Sequence, residues 1–305
     1  MKTAIKYLSL IAVSLLVSCG NPAPTELYDD TTLQDNKGVK IGTPSTGGGY
    51  DSTGVSNQLI DKTTIISVSG IKNNNYGSYS PNESYYAQFN DKSKPIIIPI
   101  ENKIGYRTKV MGNVFFKGIQ AQIQPFILTY PINNLLKDTL VGSKYVLSSS
   151  MMIGHNNNNN SGFPYNSKVN FRLDIGKGVP IQFDIPTPPE ITAKVTFSGS
   201  FSAQTIQMDL NWEAKNIGDI EVTIATFAEM GMGTQTIPRL KLVGSDNGKM
   251  KVPSNLLQSI PLDKNKSILV TVTRRMIKEI PFNETIGDNY IVAQSIYNIQ
   301  VQIPN

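Results

Sequence analysis

The amino-acid sequence predicts an all-β, predominantly antiparallel protein, organised as two β-sandwich units behind a disordered tether. Three observations point there. Apolar and polar residues alternate with a period of two in segment after segment, from about residue 62 to residue 303. No comparable run carries the helical period. Between residues 20 and 61, by contrast, there is little periodic apolar content at all.

The chain begins with Met1, Lys2 and Lys6, then an apolar run from Tyr7 to Val17. That run is about 11 residues long, whereas crossing a bilayer takes roughly 20, so it targets the chain for export and does not span. It ends in Leu16-Val17-Ser18-Cys19, which contains the only cysteine of the 305 residues. This tetrapeptide resembles the lipobox of bacterial lipoproteins, where a branched apolar residue, a tolerant position and a small residue precede an invariant cysteine.

The resemblance implies that residues 1–18 are a signal peptide, that Cys19 becomes the new N-terminus, and that its thiol receives a diacylglyceryl group. Serine would not substitute, because the chemistry needs a nucleophilic sulfur. Each buried methylene contributes about 0.8 kcal/mol, so two or three acyl chains anchor stably where one would not. Gly20 stands where the family commonly uses aspartate to retain a lipoprotein in the inner membrane, which implies an outer-membrane address. With Cys19 acylated, the exported chain must fold without disulfides.

Residues 19–61 read as the tether. They hold Pro22, Pro24, Pro44 and Gly47-Gly48-Gly49 among many Ser, Thr and Asp residues, too little apolar surface to offset the entropy of ordering. A flexible chain of this length reaches roughly 35 Å. Two later polar stretches, Lys72 to Ser80 with Asn73-Asn74-Asn75, and His155 to Ser161, read as loops.

The first β unit is expected over residues 62–187. Val169, Phe171, Leu173 and Ile175 alternate with polar residues, as do Val179, Ile181, Phe183 and Ile185. Thr187-Pro188-Pro189 reads as a hinge. The second unit, residues 190–305, contains Val195 to Phe201, Ile206 to Trp212, Ile220 to Ile224 and the closing alternation Tyr297, Ile299, Val301 and Ile303. Helix candidates are short: Asn133 to Lys137 and Ser254 to Ser259. Parallel sheets need crossover helices of a dozen residues or so, and without them the pairing should be antiparallel. Asp246-Asn247-Gly248 reads as a hairpin turn.

Within the second unit, Leu210 to Val222 runs from an apolar strand through Asn216-Ile217-Gly218 into another apolar strand. It resembles the early hairpin of the immunoglobulin-like or fibronectin-type domains of bacterial surface proteins, with Trp212 as core plug. Tyr290, following Gly287-Asp288-Asn289, resembles a tyrosine corner leading into a late strand. The resemblance implies an architecture, since the disulfide of true immunoglobulin domains is excluded here.

Charge and chemistry narrow the function. Setting aside Lys2 and Lys6 leaves 26 basic against 23 acidic side chains, a balance of about +3, and the longest basic run is Arg274-Arg275; neither supports nucleic-acid binding. The single histidine, His155, opens a run of five asparagines and is a poor triad member. Zinc and thiol chemistry lack their usual groups. Asp174 with Asp184, and Asp209 with Glu221, fall on expected outward faces and are the available carboxylate pairs for glycoside hydrolysis. Gly231-Met232-Gly233 lacks the third glycine of a nucleotide loop.

Tyr76, Tyr79, Tyr85 and Tyr86, set among Asn, Ser and Gly, have the composition of a recognition loop. Met151, Met152, Met230 and Met232 offer soft apolar contacts. The expected function is therefore that of a non-catalytic, lipid-anchored envelope protein in adhesion, envelope organisation or protein assembly. It has no cofactor or metal, and its partners are the membrane through Cys19 and envelope proteins or surface ligands. A polysaccharide-binding or polysaccharide-processing lipoprotein is the alternative.

Overall fold

The computed structural model describes residues 40–42, 62–75, 78–97, 103–132, 135–148, 162–176, 178–230, 233–261, 267–281 and 284–304. All belong to one compact unit, Gly38–Asn305. The first eight strands are β1 (Lys40–Gly42), β2 (Thr64–Asn75), β3 (Ser78–Ile97), β4 (Lys103–Thr108), β5 (Asn113–Phe116), β6 (Ile119–Gln120), β7 (Gln122–Ile132) and β8 (Leu135–Ser148). There follow β9 (Lys168–Asp174), β10 (Ile181–Pro186), β11 (Ala193–Ser198), β12 (Gln207–Trp212), β13 (Asp219–Met230), β14 (Gly233–Ser245) and β15 (Lys249–Val252). A short helix, α1 (Ser254–Gln258), precedes β16 (Ser267–Lys278) and β17 (Asn289–Gln302).

The fold is all-β and sandwich-like. One sheet runs in the order β1-β14-β13-β16-β17-β2-β3-β8-β7, with β4 paired to β3. Two small sheets, β10-β9-β5-β6 and β11-β12-β15, complete it. Among the described strands, pairing is antiparallel except between β17 and β2, which run parallel over Asn289–Gln300 and Thr64–Asn75. That pair joins strands from either side of Thr187-Pro188-Pro189 into one sheet.

Register and the alternation of side chains put Ile66 and Val68 on the same face as Tyr85, Ala87, Phe89, Tyr145, Leu147, Ile291 and Ala293. That face packs against Val114, Phe116, Val169, Phe171, Leu173 and Ile185 of the first small sheet in one buried cluster. Rings interlock in it: Tyr85 lies 5.4 Å from Phe116, and Phe116 meets Phe171 edge-on at 5.5 Å. Further along the same face come Ile220, Val222, Ile224, Val270, Val272 and Leu242, all buried. The second small sheet and α1 contribute the buried Ile206, Met208, Leu210, Trp212, Met250, Val252, Leu256 and Leu257. Ile191 N donates to Ser295 Oγ on that face at 2.8 Å. Two small sheets thus lie side by side on one face of the long sheet.

The opposite face of the long sheet carries a network of polar side chains beside the apolar Ile65, Ile71, Val292 and Ile296, and it is buried at its centre. Gln294 donates to Ser67 Oγ at 3.2 Å, Gln88 to Asn90 Oδ1 at 2.5 Å, Thr271 to Asn298 Oδ1 at 2.7 Å and Asn298 to Asn73 Oδ1 at 2.8 Å. These bonds satisfy side chains that burial would otherwise penalise.

Several expectations change. Lys72–Asn75 and Ser78–Ser80 are strand rather than loop. Asn73 and Asn74 find cross-strand partners, with Asn74 donating to Tyr297 Oη at 3.0 Å besides the Asn73–Asn298 bond. Leu135–Lys137 begin β8 instead of a helix, because Leu135 to Lys137 pair with Ile132 to Tyr130; the helix expected at Ser254 does form. Thr187-Pro188-Pro189 is not a free hinge. Ser167 N donates to Thr187 Oγ1 and Asn166 N to Pro188 O, both at 3.0 Å. Of the tether, only Lys40–Gly42 is described, as β1 on β14; the rest, with Cys19, lies outside the described residues.

Candidate functional site

Asp246 was expected in a hairpin turn. It is instead a corner: β14 before it pairs with β13 in the long sheet, and β15 after it pairs with β12 in a small one. The polypeptide changes sheets there, and so do β12 and β13 on either side of Asn216-Ile217-Gly218. Both turns read as hairpins because spacing alone cannot tell a hairpin from a strand that switches sheets.

The Asp246 carboxylate is fully buried and receives Arg274 Nε at 2.9 Å and Nη2 at 3.0 Å, Trp212 Nε1 at 2.9 Å and Lys215 N at 3.3 Å. Burial pushes its pKa up, but hydrogen bonds from Arg274 and Trp212 and the guanidinium charge outweigh it, so the carboxyl sits below its ordinary range. Arg274 spends its other donors on Glu213 O at 2.7 Å and Glu190 O at 3.2 Å. The cluster stitches β16, the β12–β13 and β14–β15 corners and the β10–β11 connection together. Trp212 is a core residue, as expected, and its indole N–H serves this node.

The carboxylate pairs do not converge. Asp184 faces Asn170, four residues from Asp174 along β9, which is about 13 Å at roughly 3.3 Å per residue. A hydrolytic pair works at roughly 5–10 Å. The hydrogen bond from Lys168 Nζ at 2.5 Å, helped by Asn170 Nδ2 at 3.1 Å, holds Asp184 below the usual carboxylate range. Asp209 lies on β12 between Thr196 and Lys251. Glu221 is on the polar face of the long sheet, with Lys241 at 2.7 Å and Arg275 at 3.0 Å.

Tyr85 and Tyr86 are not solvated recognition residues. Their exposures are 0% and 2%. Tyr85 Oη donates to Glu83 Oε2 at 2.5 Å, and Lys117 Nζ lies 3.3 Å from the same oxygen; burial and then Glu83 push the phenol pKa far up. Tyr290 is the second residue of β17 and half-buried. Tyr76, His155, Met151, Met152, Gly231 and Met232 lie outside the described residues. Among the described residues no three His, Cys, Asp or Glu side chains gather as metal ligands.

Two outer surfaces remain as candidate binding faces. On β10-β9-β5-β6, register aligns Gln120, Phe115, Arg172 and Gln182 in one row, and the Arg172 guanidinium lies 4.1 Å from the Phe115 ring centroid. Gln120 donates to Asn113 Oδ1 at 3.1 Å alongside. On β11-β12-β15, the rows are Lys194, Asn211, Lys249 and Thr196, Asp209, Lys251. Neither face was singled out from the sequence.

No protein-family model matches the chain, and no curated protein matches it. Among solved structures, the yeast delta-COP-I mu-homology domain aligns over 78% of this chain and 95% of its own, at 10% identity and a TM-score of 0.21. A likeness that low carries nothing about fold or function.

Proposed function

We propose that the chain is a lipid-anchored envelope protein that works without catalysis, presenting a rigid β sandwich to other envelope proteins or surface ligands. The observation that carries this reading is Leu16-Val17-Ser18-Cys19 at the end of a short apolar run. The non-catalytic part is supported by the engagement of the carboxylates: Asp184, Asp246 and Glu221 each hold a cation, and Asp174 and Asp184 are too far apart to share a substrate bond. The anchored part is tested by expressing the chain and its Cys19→Ser variant with a clickable fatty acid. Label and membrane association should be lost in the variant; equal labelling of both would overturn the anchor.

A second reading is favoured by the Phe115–Arg172 row. A ring and a guanidinium plane flanked by Asn113, Gln120 and Gln182 suit the hydroxyls and apolar face of a polysaccharide. Retardation of the protein in polysaccharide-containing native gels, abolished by Phe115→Ala, would establish it; equal mobility of both proteins would exclude it.

A further inference from the structure

We infer that the outer face of β11-β12-β15 docks on anionic phospholipid headgroups, beside the β14 edge of the long sheet where the N-terminal segment enters the fold. The inference rests on the anchored reading of Cys19 for its orientation, but the docking chemistry stands on the lysines alone.

The first observation is charge. Lys194, Lys249 and Lys251 stand on this face against a single carboxylate, Asp209, and the rest of the rows is Asn211 and Thr196. Lys194 and Lys249 are exposed and Lys251 half-buried. Three strands are about 10 Å across, so the lysines act within roughly one Debye length as one positive field. On the other small sheet the balance differs: Lys168 and Arg172 face Asp174 and Asp184, with no excess of either sign. The rows of the basic face hold no aromatic side chain on which bases or sugars would stack.

The second observation is where the N-terminal segment meets the sandwich. Lys40, Ile41 and Gly42 pair with Val243, Leu242 and Lys241 on the outer edge of β14. β14 continues through Asp246 into β15, which carries two of the three lysines. The opposite edge, β7, is seven strand spacings away from β14, about 34 Å. Twenty residues, 20 to 39, separate Cys19 from Lys40. An acylated Cys19 therefore delivers this end of the sheet first.

The two observations reinforce each other. Each lysine near an anionic surface strengthens binding roughly fivefold, so three opposed by one aspartate give a weak patch. Tethered by a lipid anchor, a weak patch operates at a high effective concentration and suffices to set orientation.

The test uses the full chain carrying Cys19→Ser, so that no acyl group contributes, in sedimentation with vesicles of phosphatidylcholine alone or mixed with phosphatidylglycerol. The protein should bind the mixed vesicles better. The triple change Lys194→Gln, Lys249→Gln and Lys251→Gln should weaken that binding by tenfold or more, while Asp209→Asn should strengthen it a few-fold and Lys168→Gln should leave it unchanged. All these proteins share one N-terminus, so differences among them report the sheet face. Equal binding by the parent and the triple variant, or no preference of the parent for phosphatidylglycerol, overturns the inference. Loss of acylation at Cys19 with the lysine dependence intact would instead remove only the anchor.

Discussion

Arg274 and Asp246 form a bidentate ion pair with no solvent exposure on either side chain, with Nε to Oδ2 at 2.9 Å and Nη2 to Oδ1 at 3.0 Å. Removing one member strands a buried charge, which typically costs about 3–5 kcal/mol. Arg274→Ala and Asp246→Ala should each lower stability by that amount in denaturant unfolding. Arg274→Lys should also be costly, because an ammonium cannot reproduce the fork that reaches the carboxylate and two carbonyls together. Losses below about 1 kcal/mol would mean that the pair is as solvated as a surface one.

Acid should unfold the protein over a definable range. Partial burial disfavours the Asp288 carboxylate, but hydrogen bonds from Thr63 and the Lys92 ammonium prevail and hold its pKa at about 2. Asp246 is also lowered. Both are depressed below an unfolded value of about 3.9. Their contribution is therefore complete above that value and declines as the pH falls toward about 2. Asp288→Asn should lower stability at neutral pH and flatten the decline between about pH 4 and pH 2, measured as the urea midpoint. An unchanged slope would count against the Asp288 contacts.

Tyr85→Phe separates a structural hydroxyl from a recognition one. Losing the bond to Glu83 should cost about 1–2 kcal/mol, or a melting decrease of about 2–4 °C per kcal/mol in a chain of this size. Tyr85→Ala should cost about 3–5 kcal/mol through the cavity beside Phe116 and Phe163. Near-wild-type melting of both variants would return Tyr85 to the surface.

Gly70 lies on β2 with the Phe163 ring against it, so that a Cβ would stand 2.5 Å from Phe163 Cδ1. Gly70→Ala must displace that ring and should destabilise by about 1–3 kcal/mol. Gly70→Ala paired with Phe163→Leu should recover part of the loss. Equal melting of Gly70→Ala and the parent would show that the ring moves freely.

Alternation made the strands legible, since a sandwich with one dry face writes its period directly into the chain. It also carries the signature of a buried ion pair. Arg274 is in phase with Ile268, Val270 and Val272, and Asp246 with Leu240 and Leu242, so two charges stand at core positions and call for one another. Asn73 and Asn74 misled for the opposite reason: asparagine favours turns locally, and only long-range partners such as Asn298 and Tyr297 reveal a strand. Outer faces such as the Lys194, Lys249 and Lys251 surface depend on strand order, which alternation does not encode.

The parallel seam between β17 and β2 makes β17 the keystone of the long sheet. Among the described strands it is the one neighbour that β16 and β2 share, and the residues it unites are more than two hundred positions apart. The long sheet therefore cannot join its two halves until β17 is in place, and a variant lacking Asn289–Gln302 would leave two raw edges inviting aggregation.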